Sequence, residues 1–512
     1  MNRLIKTSLY LLTLVSLLNS CEDDFIDVPS KNPNADDFFN TEKDYEDALI
    51  GTYDLLQSTF WNALIGEIAS DNTVAGGDPL TIDQPGIQQI DAMTHSDVNE
   101  HLRDIWSFMY GGLNRANYTL EFKDKTDFEG RKNIIAQTYF LRAYFSFELA
   151  KWFGNVPLKI EEIDGVKRIA HRRIQFGDQY TMERTADLSE LYNLIEADLL
   201  DAIKGLPAVQ LNKYEVTRGA AQSLLGKVYL FHGKQDATKF EASSQVLEEV
   251  INSNNYSLAA NYASIFEHTG ENGPGSIFEV QYSDVEGGSF DCLQCSEGNV
   301  AIGFSGVRSY SGNTFDSGYG FNTPTQEVVD TFESEDKRKD VAILDILAWK
   351  KRYPGVNYDE SRGNTGYYNR KYIPRQGDLN LGDNNLTNPN NYRAIRYADV
   401  LLMAAEANNR KSSPDDTKAL DYLNQVRRRA FGVSDTSRDV NLSGANLTQA
   451  IYHERRVELV GEGHHFFDLV RTDRAASEIE NFTSGKNEIF PIPLIELELS
   501  NAKERWGQNP GY

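Results

Sequence analysis

Three groups of residues have the types and spacings that chemistry needs. The densest is His453-Glu454-Arg455-Arg456, followed by Glu458, Glu462-Gly463-His464-His465, Asp468 and Arg471. Histidines and carboxylates together can hold a metal. The spacing is not H-E-x-x-H, however, and adjacent histidines on a helix diverge by about 100°. The same residues also read as Arg–carboxylate pairs pinning a helix and its turn, because buried charges need partners. The second group is Cys292 and Cys295, a C-x-x-C. A zinc site needs two further ligands, and no second cysteine pair or spaced histidine pair exists. In an exported chain the pair reads as a disulfide. The third group is a run of rings: Tyr282, Phe290, Tyr310, Phe315, Tyr319, Trp349, Tyr353, Tyr358 and Tyr367, interleaved with Arg308, Asn313 and Asp316. Rings stack on the apolar faces of pyranoses, and polar side chains read the hydroxyls, since buried polar groups need partners. Each ring can equally be ordinary packing.

Enzymatic signatures are weak by comparison. A glycosidase needs two carboxylates about 5–10 Å apart in a cleft. With 76 acidic residues, some pair meets that by chance. Gly303-Phe304-Ser305-Gly306 is one residue short of a nucleophile elbow, and no phosphate loop with its lysine is present. No catalytic residue, metal or cofactor is expected. The net charge of −25 repels phosphate backbones, which argues against nucleic acid.

The first residues give an address. Arg3 and Lys6 precede the apolar run Leu9–Leu18, too short for a mature membrane span and suited to a secretory signal. Leu18-Asn19-Ser20-Cys21 then looks like a lipobox, with cleavage before Cys21 and acylation of that residue. Several acyl chains on one residue give stable anchoring. The acidic Glu22-Asp23-Asp24 resembles the export signal of surface lipoproteins. Residues 1–20 are thus expected to be a signal peptide and 21–40 a lipid-anchored tether. Residues 41–512 should form one domain.

Helical periodicity positions the rest. Helices are expected from Thr41 to Ser58, Glu100 to Phe122 and Asn133 to Phe153, then over 187–204, 217–232 and 239–253. The pair 217–232 and 239–253, joined by a turn at Gly233, resembles a tetratricopeptide hairpin. Residues 254–390 are rich in Gly, Asn, Ser and Tyr, with β-like runs at Ser276–Tyr282 and Tyr367–Ile373. They read as an insertion over a helical scaffold spanning 41–253 and 391–471. Helices return at Ala394–Asn409, Thr417–Ala430 and Leu447–Val460. The tail Glu488–Tyr512, with three prolines, reads as largely extended.

Five segments together resemble the SusD/RagB family of outer-membrane nutrient-binding lipoproteins. They are Ala136–Leu158, Tyr392–Asn408, Ala419–Ala430, His453–Arg471, and the ending from Ile492 to Tyr512. The fourth matches E-R-x-x-E-L-x-x-E-G-x-R-x-x-D-L-x-R, with His465 in place of the usual arginine. The resemblance implies a mainly α fold: tetratricopeptide-like hairpins forming a curved α-α scaffold, with a loop-rich, partly β insertion. It implies a non-enzymatic surface protein that captures oligosaccharides for a SusC-type TonB-dependent transporter. It also brings Asp71 and Asn72 toward the ligand. A peptide-capturing lipoprotein of RagB type is the alternative, and a surface hydrolase a third.

Overall fold

In a computed structural model, residues 38–163, 165–285, 287–295, 297–376 and 386–512 are described. The signal peptide and nearly all of the tether lie outside them. Thr41 opens the first helix, Glu42–Asp54, with a capping box: its side chain accepts the Asp44 amide, and Asp44 accepts the Thr41 amide. The helix does not run on to Ser58. A 3-10 turn, Leu55–Ser58, offsets it from a second helix, Thr59–Ile68, that is buried on every side.

The scaffold is a succession of packed helices. Glu100–Glu121, Arg131–Phe153, Leu188–Gly205, Arg218–His232 and Lys239–Asn252 each pack on the next. Lys239–Asn252 then meets Tyr397–Arg410, which packs on Asp416–Phe431 and Gly444–Leu459. The repeat-like pair seen in the sequence is therefore one step of a longer array. Arg131–Phe153 is apolar nearly all round, and its second half is almost wholly buried. Small residues let it approach its neighbour closely: a Cβ added at Gly205 would lie 2.4 Å from that of Ala136. At the centre Arg142 and Asp198 are fully buried and joined by two 2.7 Å bonds, while Arg142 also donates to Asn117. Three helices are tied by one guanidinium.

Other expectations also need correcting. The helix foreseen from Ala394 begins at Tyr397, because Tyr392–Arg396 is a strand paired with Ser276–Val280. A short run buried at every position, its two arginines included, shows neither period, and here the partner strand decides. The tail is not largely extended. It carries helices at Leu494–Leu499 and Lys503–Trp506, and Pro493 simply stands at the first helix's N-terminal cap.

The segment between the scaffold halves holds short antiparallel pairs. Thr73–Gly76 pairs with Phe321–Pro324, and Ile343–Asp345 with Tyr367–Asn369. The second run ends at Asn369, four residues before its expected end. A small core of its own, including Val307, Tyr310, Phe315, Leu344, Ile346, Tyr368 and Ile373, holds part of this segment together, while Ile277, Phe278, Ile302 and Phe304 join the main core.

Candidate ligand-binding site

The His453–Arg471 motif is a buried ionic frame. Glu458 receives Arg396 at 2.9 Å, Arg429 at 2.6 Å and Arg338 at 3.0 Å. Glu462 pairs with Arg396 and with Lys371, and burial pulls the Lys371 ammonium down to about 8 against the attraction of Glu462. Arg455 bridges Asp399 and Asp468, and Arg471 pairs with Glu406. Every carboxylate here is matched, as buried charges require.

Asp71 and Asn72, expected near the ligand, are gripped by this frame. Asn72 donates to Glu67 and accepts from Arg456 Nε at 2.8 Å. Asp71 meets Arg456, and His465 Nε2 lies 3.0 Å away. Burial pushes the Asp71 carboxyl up, and His465 and Arg456 outweigh it and hold it low. The departure at His465 therefore keeps a basic partner for Asp71. Glu67 in turn accepts the amides of Gly461 and Gly463. Gly463 has a φ of +80°, and an added Cβ would meet the Ala63 backbone at 2.5 Å, so only glycine fits. Among the described residues, one group of three could gather on a cation: Asp71, Glu327 and Glu478, within 4.8 Å. Arg456 already faces two of them.

The frame fixes the strand Thr73–Gly76, and the loop that leaves it forms a rim. Asp78 Oδ1 accepts the amides of Leu80 and Thr81 at 2.7 and 3.1 Å, turning the loop on itself. Those amides, with Arg308, hold its carboxyl below the usual range. Arg308 donates to Asp78 at 2.7 Å, lies 3.6 Å from Asp83, and donates to the Tyr319 carbonyl. Arg362 donates to the carbonyls of Asp78 and Thr81. Leu80 and Ile82 are left in solvent, 90% and 66% exposed. The Tyr319 ring is half-buried, 5.6 Å from the Phe290 ring, which is 53% exposed. Close by in the chain, Cys292 and Cys295 are joined in a disulfide. Rings and aliphatic side chains thus flank a guanidinium and carboxylates on one edge.

The other foreseen rings divide. Tyr282 is buried and gives its hydroxyl to the Gln57 carbonyl. Phe315 is buried, and Tyr310 donates to the Asn313 carbonyl and accepts from Trp349 Nε1 at 3.1 Å. Trp349 packs on Phe315 at 5.2 Å and on Tyr353 at 4.6 Å. Tyr353 and Tyr358 are half-buried on the small core, Asn313 is exposed and Asp316 half-buried. Tyr367 donates to Gln326. So Arg308, Tyr319 and Phe290 come together at the rim, while Tyr310, Phe315, Trp349 and Tyr353 form a second cluster. The sequence reading missed Asp78, Asp83 and Arg362. An Asx turn seeded by Asp78 was their one local signal.

The scaffold is helical and carries a buried ionic frame and a ring-lined rim; no described helix is long and apolar enough to cross a membrane. Comparison narrows the class. The SusD family model matches residues 274–489, and a second, described as starch-binding associating with outer membrane, matches 24–230. A laminarin binding SusD-like protein superposes with a TM-score of 0.81 at 31% identity, covering 93% of this chain and all of that one. Surface glycan-binding protein A from Bacteroides thetaiotaomicron, in complex with laminarihexaose, gives 0.77 at 25% identity, covering 92% of this chain and all of that one. SusD-like protein P38 of Formosa agariphila is 27% identical over 93% of each chain. The chain belongs to the SusD family.

Proposed function

We propose that this protein captures oligosaccharides at the cell surface and passes them to a SusC-type TonB-dependent transporter. It does so without chemistry, held to the outer membrane by lipid on Cys21. The observation that carries the reading is the rim. Phe290 and Tyr319 offer ring faces beside Arg308, Asp78 and Asp83, the pairing of stacking surface and hydroxyl readers that a pyranose demands. Solved relatives of the same fold are named for laminarin and laminarihexaose binding. A peptide site would depend on backbone-reading donors, whereas the most exposed large apolar side chains at this rim are Leu80, Ile82 and Phe290.

The test is titration calorimetry of the purified protein against laminarihexaose, other neutral oligosaccharides and a peptide mixture. Burying the exposed half of Phe290 contributes about 1 kcal/mol, half of a full phenylalanine burial. Phe290→Ala should therefore weaken glycan binding roughly fivefold with the fold intact. Heat with peptides and none with any glycan would overturn the reading. For the anchor, Cys21→Ala should abolish incorporation of labelled palmitate.

A further inference from the structure

A cavity away from the rim contacts has a cationic lining. It has a volume of about 310 Å³, at the lower end of the range for small-ligand pockets, about 300–1,000 Å³. It lies among the helix Gln326–Asp330, the strand pair Ile343–Asp345 and Tyr367–Asn369, and the helix Ile346–Arg352. Trp349 and Tyr367 give it ring walls, and Lys339, Arg352 and Arg370 bring three cations to it. Two carboxylates also line it. Asp345 is turned to its own helix, accepting the Ala348 amide as its N-cap, and Asp340 is exposed.

None of the three cations forms an ion pair within 4.0 Å among the described residues, although the chain holds 76 acidic residues against 51 basic ones. In the buried ionic frame the opposite holds: Arg338, Arg396, Arg427 and Arg471 each meet carboxylates. Arg370 is held in place rather than free. Its guanidinium sits 5.5 Å from the centre of the Trp349 ring and 5.9 Å from that of Phe315, and one nitrogen donates to the Asp340 carbonyl at 2.6 Å. Its remaining side-chain donors have no protein partner among the described residues. A fixed guanidinium with open donors is a fork that fits an oxyanion.

We infer that this pocket binds a sugar residue carrying an oxyanion, a sulfate ester or a uronate carboxylate. Trp349 and Tyr367 take the ring, and Lys339, Arg352 and Arg370 take the charge. That the ligand is a saccharide rests on the function proposed above; that it bears an oxyanion does not. The overall charge of −25 opposes polyanions at long range, so affinity for one requires a local cationic site.

The test compares four probes on the full-length protein by calorimetry and tryptophan fluorescence: laminarihexaose, the same hexaose chemically sulfated, an oligogalacturonide, and sodium sulfate. Native protein should bind one of the two anionic saccharides about tenfold more tightly than laminarihexaose, the scale of one charge-assisted contact. Which one it prefers names the oxyanion. The double variant Lys339→Ala/Arg352→Ala, made at side chains without protein ion pairs, should melt like the native chain and lose that preference. Phe290→Ala should keep it while weakening laminarihexaose. Equal affinity for neutral and charged saccharides, or a preference that survives the double variant, overturns the inference. Should no saccharide bind, the glycan reading fails. Sodium sulfate then decides the pocket alone: saturable quenching that disappears in Trp349→Phe and in the double variant supports it, and no quenching overturns it.

Discussion

The ionic frame makes a sharp prediction at Glu458→Gln. Glu458 is fully buried, and its oxygens meet Arg396, Arg429 and Arg338 at 2.9, 2.6 and 3.0 Å. Glutamine preserves the shape, removes the charge and aims an amide donor at a guanidinium. Two of the three arginines keep other partners: Arg338 has Asp336 and Glu454, and Arg396 has Glu462. Arg429 has no other carboxylate among the described residues and is left buried and unpaired. Removing one member of a buried pair costs 3–5 kcal/mol, and the surviving partners place this case near the low end, about 3 kcal/mol. For a chain of 512 residues the unfolding entropy is roughly 1 kcal/mol per kelvin, so Tm should fall about 3 °C. Urea titration and calorimetry both read it. The pH dependence has a definite sign. The arginines hold the Glu458 carboxyl far below its usual range against burial, which pushes it up. Its stabilisation is therefore present above the unfolded value near 4.3 and is lost as pH falls. The gap between native and variant should shrink between about pH 5 and pH 3. A loss under about 1 kcal/mol at pH 7, or a gap unchanged by acid, would refute the reasoning.

Three further outcomes follow from named contacts. Gly463→Ala should cost more than about 2 kcal/mol by denaturant titration, because it combines a positive φ with a clash against the Ala63 backbone. Arg308→Ala should weaken glycan binding by calorimetry more than Phe290→Ala does, since it frees Asp78 and Asp83 as well as losing a reader. Asp91 is a carboxyl raised to about 6 by burial, with Glu480 adding to it. The folded state then holds its proton after the unfolded state has lost it, so stability falls as pH rises from about 4 to 6. Asp91→Asn keeps an acceptor for the Ala75 amide. It should flatten that slope in a pH series of melts and gain on the order of 1 kcal/mol at pH 7 after solvent screening.

The scaffold was legible because its helices repeat a strong physical signal. Thr41, Asp187 and Thr217 cap where the periodicity begins, and each side chain accepts a first-turn amide. Where periodicity gives no information, the reading slipped. Tyr392–Arg396 is buried throughout and becomes a strand only because Ser276–Val280 lies beside it, more than a hundred residues away in sequence. The rings show the same limit. Tyr282 and Phe290 are both aromatic and eight residues apart, yet one is buried and gives its hydroxyl to the Gln57 carbonyl while the other stands half in solvent. Residue type announced a ring-rich segment, but exposure depends on tertiary contacts that sequence spacing does not encode. Asp78, Asp83 and Arg362 were missed for the same reason: beyond the local turn at Asp78, their role comes from contacts of Arg308 and Arg362 with the rim loop across more than two hundred residues.

The two clusters share one stretch of chain, which constrains how they can be separated. Arg308 reaches the rim through Asp78, whereas Tyr310, two residues on, holds Trp349 in the second cluster. Tyr319 returns to the rim after Phe315 has packed against Trp349. A substitution at Tyr310 or Phe315 removes buried side chains from a core of only a few residues, so it would loosen both edges at once. Loss of binding in such a variant would say nothing about where a glycan sits. Side chains that touch one cluster and solvent do discriminate: Phe290 at the rim, Lys339 and Arg352 at the cationic pocket. The ionic frame grips Asp71 and Asn72 at the start of the Thr73–Gly76 strand, while Arg308 and Arg362 hold the rim loop that follows it. On the proposed reading, ligand selectivity rests on exposed side chains at the two edges, while the buried arginines and carboxylates set where those edges stand.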